Sequence, residues 1–213
     1  MGYSGSTPIS VANWHSVEPP GFIRLLEDSR IKFDMIDARV YRPEIGEQYI
    51  AIIVFVSRDS IDGNFLRKLE ETNTKVLIMF PSFIISSPSI VRPYETNSAI
   101  MGMWNRITVW GHNIGVQVTG SPPSYTIRFR DALSSLGGLT GYTANHLVAY
   151  YSGDFDEILA EIELNNLRFP LIAKIRNIYL IGLDIHVHDE NIRQKVFEAL
   201  KVLLEIWTAT SWS

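Results

Sequence analysis

The side chains best suited to chemistry lie in the stretch "LDIHVHDENIRQ" near the end of the chain. If the chain is extended there, Asp184, His186 and His188 project to one side, because alternate residues of a strand share a face. Two imidazoles at that spacing can bind one zinc or a similar divalent ion when a third ligand is supplied from elsewhere. His186 and His188 are therefore the predicted metal ligands. The candidates for the third ligand are His15, His112, His146 and Glu190. The alternative is that polar side chains collect there only because strand ends meet water.

A second polar group, in "NWHSVEPP", follows the first predicted strand. Trp14, His15 and Glu18 are expected at the same rim as His186, where the carboxyl ends of parallel strands meet. A tryptophan beside a histidine and an acid can form a platform for a sugar, whereas such aromatics also mark protein contacts or the core. The predicted ligand-binding residues are His15, Trp14, Glu18, Asp184, His186 and Glu190.

The composition excludes several classes of function. The chain has 213 residues, and its 19 basic and 23 acidic residues are scattered and give a net charge of −4, so no basic stripe predicts nucleic acid as a partner. No apolar run reaches the roughly 20 residues of a membrane span, and the start lacks the order of a signal peptide. We therefore expect a cytoplasmic protein. There are no cysteines, which excludes disulfides, thiolate metal sites and cysteine nucleophiles.

The first part of the chain alternates strands with helices. The pattern predicts strands over 8–14, 31–38, 49–57 and 74–81, with helices over 19–30 and 60–73. The strands "YIAIIVFVS" and "TKVLIMFP" are apolar on both faces, as expected of parallel strands covered by helices on each side. The predicted fold class is α/β, a doubly wound, mostly parallel sheet flanked by helices.

The second part of the chain is less regular. Residues 83–125 are predicted to be an irregular insertion with a hairpin that turns at Gly111-His112-Asn113, and 126–136 are predicted to be a helix stopped by Gly137-Gly138. Strands are expected over 147–152, 169–175 and 177–185, while 155–165 fits a helix or an amphipathic strand. A final helix capped by Asp189 follows. We expect residues 1–213 to form a single α/β domain, with 1–7 as a frayed end.

The order of these elements resembles the class I glutamine amidotransferase-like superfamily. The resemblance is carried by "FIRLLEDSRIKFDMIDARVY", by "YIAIIVFVS" with "NFLRKLEETNTKVLIMF", and by "FPLIAKIRNIYLIGLDIHVHDENIRQKVFEALKVLLEIW". The superfamily has a flavodoxin-like fold and includes ThuA-like proteins and the trimerisation domain of some β-galactosidases. The resemblance implies that active members carry a cysteine after the strand matching 74–81, and a histidine and a glutamate after the strand matching 177–185.

This chain departs from that pattern at the nucleophile. The turn reads "FPSFI", with Ser82 after a proline and no glycine beside it, although a nucleophile elbow needs small neighbours. His186 or His188 with Glu190 would then be a dyad without its nucleophile. Alternatively, Glu190 only stabilises the helix N-terminus.

The leading hypothesis is a non-catalytic binding or scaffolding domain. Its ligand site is expected at the carboxyl edge of the sheet, for a protein partner, a second copy of the chain, or a small molecule such as a sugar. No catalytic residue and no cofactor are expected, apart from a divalent metal in the second hypothesis. That hypothesis is a metal-dependent hydrolase or isomerase that uses His186 and His188. The third is a structural subunit of a larger assembly.

Overall fold

The computed structural model describes residues 9–13, 22–28, 30–37, 40–55, 63–79, 105–119, 125–141, 148–182 and 190–210. The strands are β1 (Ile9–Asn13), β2 (Phe33–Asp37), β3 (Ala51–Phe55), β4 (Lys75–Met79), β5 (Asn105–Val109), β6 (His112–Thr119), β7 (Tyr125–Phe129), β8 (Gly138–Gly141), β9 (Val148–Ser152), β10 (Glu157–Leu164), β11 (Leu167–Ile175) and β12 (Ile178–Ile181). The helices are α1 (Phe22–Asp28), α2 (Pro43–Gly46), α3 (Gly63–Glu71) and α4 (Glu190–Thr210), with a 3-10 helix at Asp131–Leu136.

Nine strands form one mixed sheet in the order β2-β1-β3-β4-β12-β11-β10-β7-β8. The first five of these strands run parallel to one another, and we call them the parallel half. The remaining four pair in antiparallel fashion and form the antiparallel half. The helices α1 and α3 connect parallel strands, as the alternating pattern of the sequence predicts. The α/β class with a doubly wound sheet is therefore confirmed, and β2 lies at the predicted edge.

Apolar residues cover both faces of the parallel half. Along β3, Ala51 and Ile53 belong to one buried cluster, and Ile52 and Val54 belong to another. The first cluster includes Leu26 of α1 and the inward stripe of α4, namely Val196, Ala199, Leu200, Leu203 and Leu204. The second includes Phe65, Leu66 and Leu69 of α3. Helices thus pack on both faces, which explains why the central strands read as continuous apolar runs.

The antiparallel half corrects one prediction. Residues 126–136 are not one helix, because Tyr125–Phe129 is a strand and only Asp131–Leu136 turns, as a 3-10 helix. The side chains of Tyr125, Ile127 and Phe129 are buried, and this alternation has the period of a strand. Gly137 caps the 3-10 helix at φ +70°, but residues 138–141, predicted to be a loop, form the edge strand β8. The ambiguous segment 155–165 is the strand β10.

A separate three-stranded sheet has the order β5-β6-β9, and we call it the small sheet. The predicted hairpin forms its first two strands, but it turns at Trp110-Gly111, and His112 and Asn113 already belong to β6. Trp110 and Gly111 have φ values of +49° and +77°, the pair of positive values that a tight two-residue hairpin turn needs. The third strand, β9, comes from outside the predicted insertion. Val109, Ile114 and Val116 of the small sheet pack in the same cluster as α3.

Candidate functional site

The carboxyl ends of the parallel strands form a flush edge. Asn13, Phe55, Met79 and Ile181 are the last residues of β1, β3, β4 and β12, and they are paired in one row across the sheet. Asp37, which ends β2, extends the same row. All chain segments that leave these strands therefore start at one level of one edge. Open α/β sheets bind their ligands at such an edge.

Most of the predicted site residues lie outside the described residues. These are Trp14, His15, Glu18, Ser82, Asp184, His186 and His188. Glu190 is the first residue of α4. The strand β12 ends at Ile181, so it does not itself supply the extended backbone that would align Asp184, His186 and His188 on one side.

The strand order fixes where these segments start. The segment with Ser82 follows β4 and the segment with His186 follows β12, and these two strands are neighbours. The segment with Trp14 and His15 follows β1, which is separated from β12 by β3 and β4. Three strand spacings of about 4.8 Å give roughly 14 Å between the ends of β1 and β12. The two predicted groups of site residues therefore leave the sheet at separated points of the same edge.

Gly182 joins this edge to the small sheet, and the sequence analysis missed its role. Its carbonyl accepts a hydrogen bond from the Ala149 N–H at 2.8 Å, and its N–H donates to the Leu171 carbonyl at 2.9 Å. A Cβ at Gly182 would meet the Ala149 carbonyl oxygen at 1.8 Å, so only glycine allows this approach. A glycine directly after an apolar strand is the signal that could have predicted close contact with another backbone. The segment 183–189 thus begins from a point that β9 holds in place.

The aromatic side chains of β9 are buried beside this junction. Tyr150 is packed against Phe169 with ring centroids 4.8 Å apart, and Tyr151 is fully buried. Burial raises the pKa of both phenols. Tyr150 and Tyr151 therefore belong to the core and cannot stack on a ligand at the surface.

The opposite edge of the sheet is closed by polar contacts around Asn177. The Asn177 side-chain amide donates to the carbonyls of Leu69, Thr72 and Thr74, and its oxygen accepts from the Trp110 indole at 2.7 Å. The Trp110 N–H donates to Glu70 at 2.8 Å, and the Arg176 guanidinium lies 4.6 Å from the centre of the indole ring. Trp110 is thus a joint between the small sheet and the amino-terminal edge of the parallel half.

This joint bears on the choice of a third metal ligand. His112 follows the Trp110-Gly111 turn and so lies beside the amino-terminal edge, whereas His186 follows the carboxyl end of β12. His112 is therefore at the wrong end of the sheet to complete a site with His186 and His188. Within the ranges that the structure describes, no group of three or more His, Cys, Asp or Glu side chains could hold a metal ion.

The fold has well-matched counterparts among solved structures. A ThuA-like protein from Bacteroides uniformis aligns with a TM-score of 0.54 at 10% identity, over 93% of this chain and 91% of that chain. A GMP synthase component from Thermoplasma acidophilum aligns with a TM-score of 0.54 at 9% identity, over 98% of each chain. The chain has the class I glutamine amidotransferase-like fold. The resemblance inferred from the sequence is therefore confirmed at the level of the fold.

The amidotransferase-like fold also occurs within a longer chain. The GH42 β-galactosidase Gan42B from G. stearothermophilus aligns with a TM-score of 0.56 at 10% identity, over 94% of this chain but only 30% of that chain. No protein-family model matches the sequence, and no curated protein matches it significantly. Among the described residues, no helix is long and apolar enough to cross a membrane.

Proposed function

We propose that the protein is a binding or scaffolding domain that uses the carboxyl edge of its amidotransferase-like sheet to hold a ligand or a partner protein. The observation that carries this proposal is the flush row of Asn13, Phe55, Met79 and Ile181, in a chain that has no cysteine. The row directs several loops to one edge, which is where α/β folds build ligand sites. The missing cysteine removes the nucleophile that the resemblance implies for active members.

A carbohydrate is the first class of small ligand to test. The support is Trp14, which follows the end of β1 next to His15, since an indole face packs well on the apolar face of a sugar ring. Titration of the protein with a panel of mono- and disaccharides, followed by tryptophan fluorescence, tests this. Binding is expected to be lost in Trp14→Phe and kept in Trp110→Phe, because Trp110 is committed to the joint with Asn177. Equal loss in both variants would argue against the edge as the binding surface.

A metal-dependent hydrolase or isomerase is the second candidate. It is favoured by the pair His186 and His188, which follow β12 at the edge where ligands bind in this fold. Elemental analysis of protein purified without chelator separates the two candidates. A stoichiometric divalent metal that disappears in His186→Ala would favour the enzyme, and metal-free protein would favour the binding domain.

A structural subunit is the third candidate. The support is that the same fold accounts for about a third of a longer galactosidase chain, so it is compatible with work inside a larger assembly. Light scattering of the purified protein at several concentrations tests the simplest form, a homo-oligomer. A mass equal to one chain at all concentrations would argue against self-association.

A further inference from the structure

One face of the antiparallel half is lined with charges. Ile127 and Ile162 point into the buried cluster, so their strand neighbours Arg128, Glu161 and Glu163 project from the opposite face. Arg130, which follows β7, and Arg168 of β11 lie on the same side, where they pair with those glutamates. We call Arg128, Arg130, Arg168, Glu161 and Glu163 the arginine face.

The two charge types on the arginine face lie at different depths. The side chains of Arg128, Arg130 and Arg168 are 51%, 47% and 49% exposed, whereas those of Glu161 and Glu163 are 14% and 28% exposed. The carboxylates therefore form a lower layer, and the guanidinium groups form the layer that meets solvent. An approaching molecule would contact the arginines first.

The carboxylates do not balance the arginines in number. Oε2 of Glu163 is shared, because Arg168 Nε donates to it at 3.1 Å and Arg128 Nη2 lies 3.4 Å away. Arg130 Nη2 lies 2.5 Å from Oε2 of Glu161. Three guanidinium groups thus face two carboxylates, which leaves a positive surface on a chain whose net charge is −4. A guanidinium has five N–H donors in a planar fork, so one carboxylate contact does not exhaust it.

The spacing of the arginines suits an extended peptide. Arg128 and Arg130 are two positions apart in extended chain, which corresponds to about 6.8 Å, and alternate side chains of an extended peptide have the same separation. A peptide can place carboxylates over the arginines and neutral side chains over Glu161 and Glu163. A nucleic acid strand carries a charge at every unit, and the lower carboxylates would repel it.

We infer that the arginine face docks an acidic, extended segment of a partner protein. This surface lies on the antiparallel half and is separate from the carboxyl edge, so it stands whether or not that edge binds a ligand. Paired forks of arginine and carboxylate give such a contact both its strength and its orientation.

The test uses the purified protein and a fluorescein-labelled peptide of four Glu-Thr repeats, with a Gln-Thr peptide as the uncharged match. Fluorescence polarisation at low salt is expected to show binding of the Glu-Thr peptide alone. The combined variant Arg128→Gln, Arg130→Gln and Arg168→Gln is expected to bind at least about tenfold more weakly. The same three positions changed to lysine keep the charge and are expected to retain most of the binding.

The control variant combines Arg24→Gln and Arg42→Gln, two exposed arginines outside the arginine face, and it is expected to bind like the wild type. Circular dichroism melting of every variant shows that the fold is intact. Absence of peptide binding, or equal binding by the wild type and the triple glutamine variant, would overturn the inference. Tighter binding of a single-stranded oligothymidylate through the same three arginines would overturn the assignment of the partner as a protein.

Discussion

The two halves of the nine-stranded sheet are stabilised in different ways. In the parallel half, alternate residues of β3 and β4 belong to apolar clusters on both faces, and helices cover each side. In the antiparallel half, one face packs in the same apolar core and the other carries the arginine face. The comparison shows how one sheet can bury its centre completely and still offer a charged surface beside it.

The difference also separates two potential functions in space. The parallel half ends in the flush edge at which ligands bind in α/β folds, and Gly182 ties that edge to the small sheet. The antiparallel half meets that edge through its junction with β12, and its open face offers charges instead of loops. A ligand at the edge and a partner on the arginine face can therefore be tested by independent substitutions.

The largest expected effect is the loss of a buried side chain in the parallel half. Leu77 lies at the centre of β4 and is fully buried, so Leu77→Ala is expected to lower the free energy of unfolding by about 3–4 kcal/mol. The exposed Thr140 of the antiparallel edge strand is the control, and Thr140→Ala is expected to change stability by less than about 0.5 kcal/mol. Urea unfolding measures both. Similar losses in the two variants would contradict the contrast between the halves.

The next effect is expected at the junction of the edge with the small sheet. In Gly182→Ala the new methyl group would overlap the main chain at Ala149 and Leu171, which cannot rotate away, so a loss of about 3 kcal/mol is expected. The matched substitution Gly138→Ala meets only the Ile127 carbonyl, at an ordinary 3.6 Å, and is expected to be nearly neutral. Thermal melting compares the two. A neutral Gly182→Ala would show that β9 does not hold this point of the edge.

A smaller effect is expected on the arginine face. Glu163→Gln removes the carboxylate shared by Arg128 and Arg168, and half-exposed ion pairs of this kind contribute less than about 1 kcal/mol. Since salt screens such pairs, the difference from the wild type is expected to vanish at about 1 M NaCl. Chemical unfolding by urea at low and high salt measures it. A loss that does not depend on salt would mean that Glu163 acts through packing.

The smallest effect at neutral pH is expected for Tyr151 of the small sheet. Among the described residues its buried hydroxyl has no hydrogen-bond partner, so Tyr151→Phe is expected to change stability by less than about 1 kcal/mol at pH 7. Burial raises the pKa of Tyr151 above 10, so the folded state favours the neutral phenol. The stability that this preference provides is complete below pH 10 and is lost as the pH rises beyond that value.

Unfolding by urea between pH 8 and 11 tests this sign. The wild type is expected to lose stability more steeply above pH 10 than Tyr151→Phe. Tyr41 and Tyr49, whose pKa is raised to about 12, are present in both proteins, so the difference isolates Tyr151. Identical alkaline profiles would show that Tyr151 does not stay neutral in the folded state.

The sequence predicted the parallel half well because its evidence is local. The run around β3 is apolar on both faces, and the helix α3 follows with its own period, so no distant contact is needed to assign them. The strand β7 was missed because "YTIRF" is short and "DALSSL" after it favours a helical turn, so the two were read as one helix. Pairing with β10 decides its structure, and that contact is not visible in a local window.

The candidate site was harder to predict than the fold for a related reason. The strand ends that define the edge could be placed from the pattern, and the structure shows them in one row. The contact of Gly182 with Ala149 joins segments that are distant in the sequence, and no residue spacing indicates it. The joint of Asn177 with Trp110 is equally non-local. The roles of His15, His186 and His188 stay predictions.

The most direct test of the account is a turnover measurement. Ammonia release from glutamine and ester hydrolysis are measured for the wild type, Ser82→Ala and His186→Ala. Because the chain has no cysteine to act as the nucleophile of an amidotransferase, all three proteins are expected to show only the rate of the buffer. A turnover by the wild type that is lost in Ser82→Ala or His186→Ala would contradict the central claim that this fold serves binding and not catalysis.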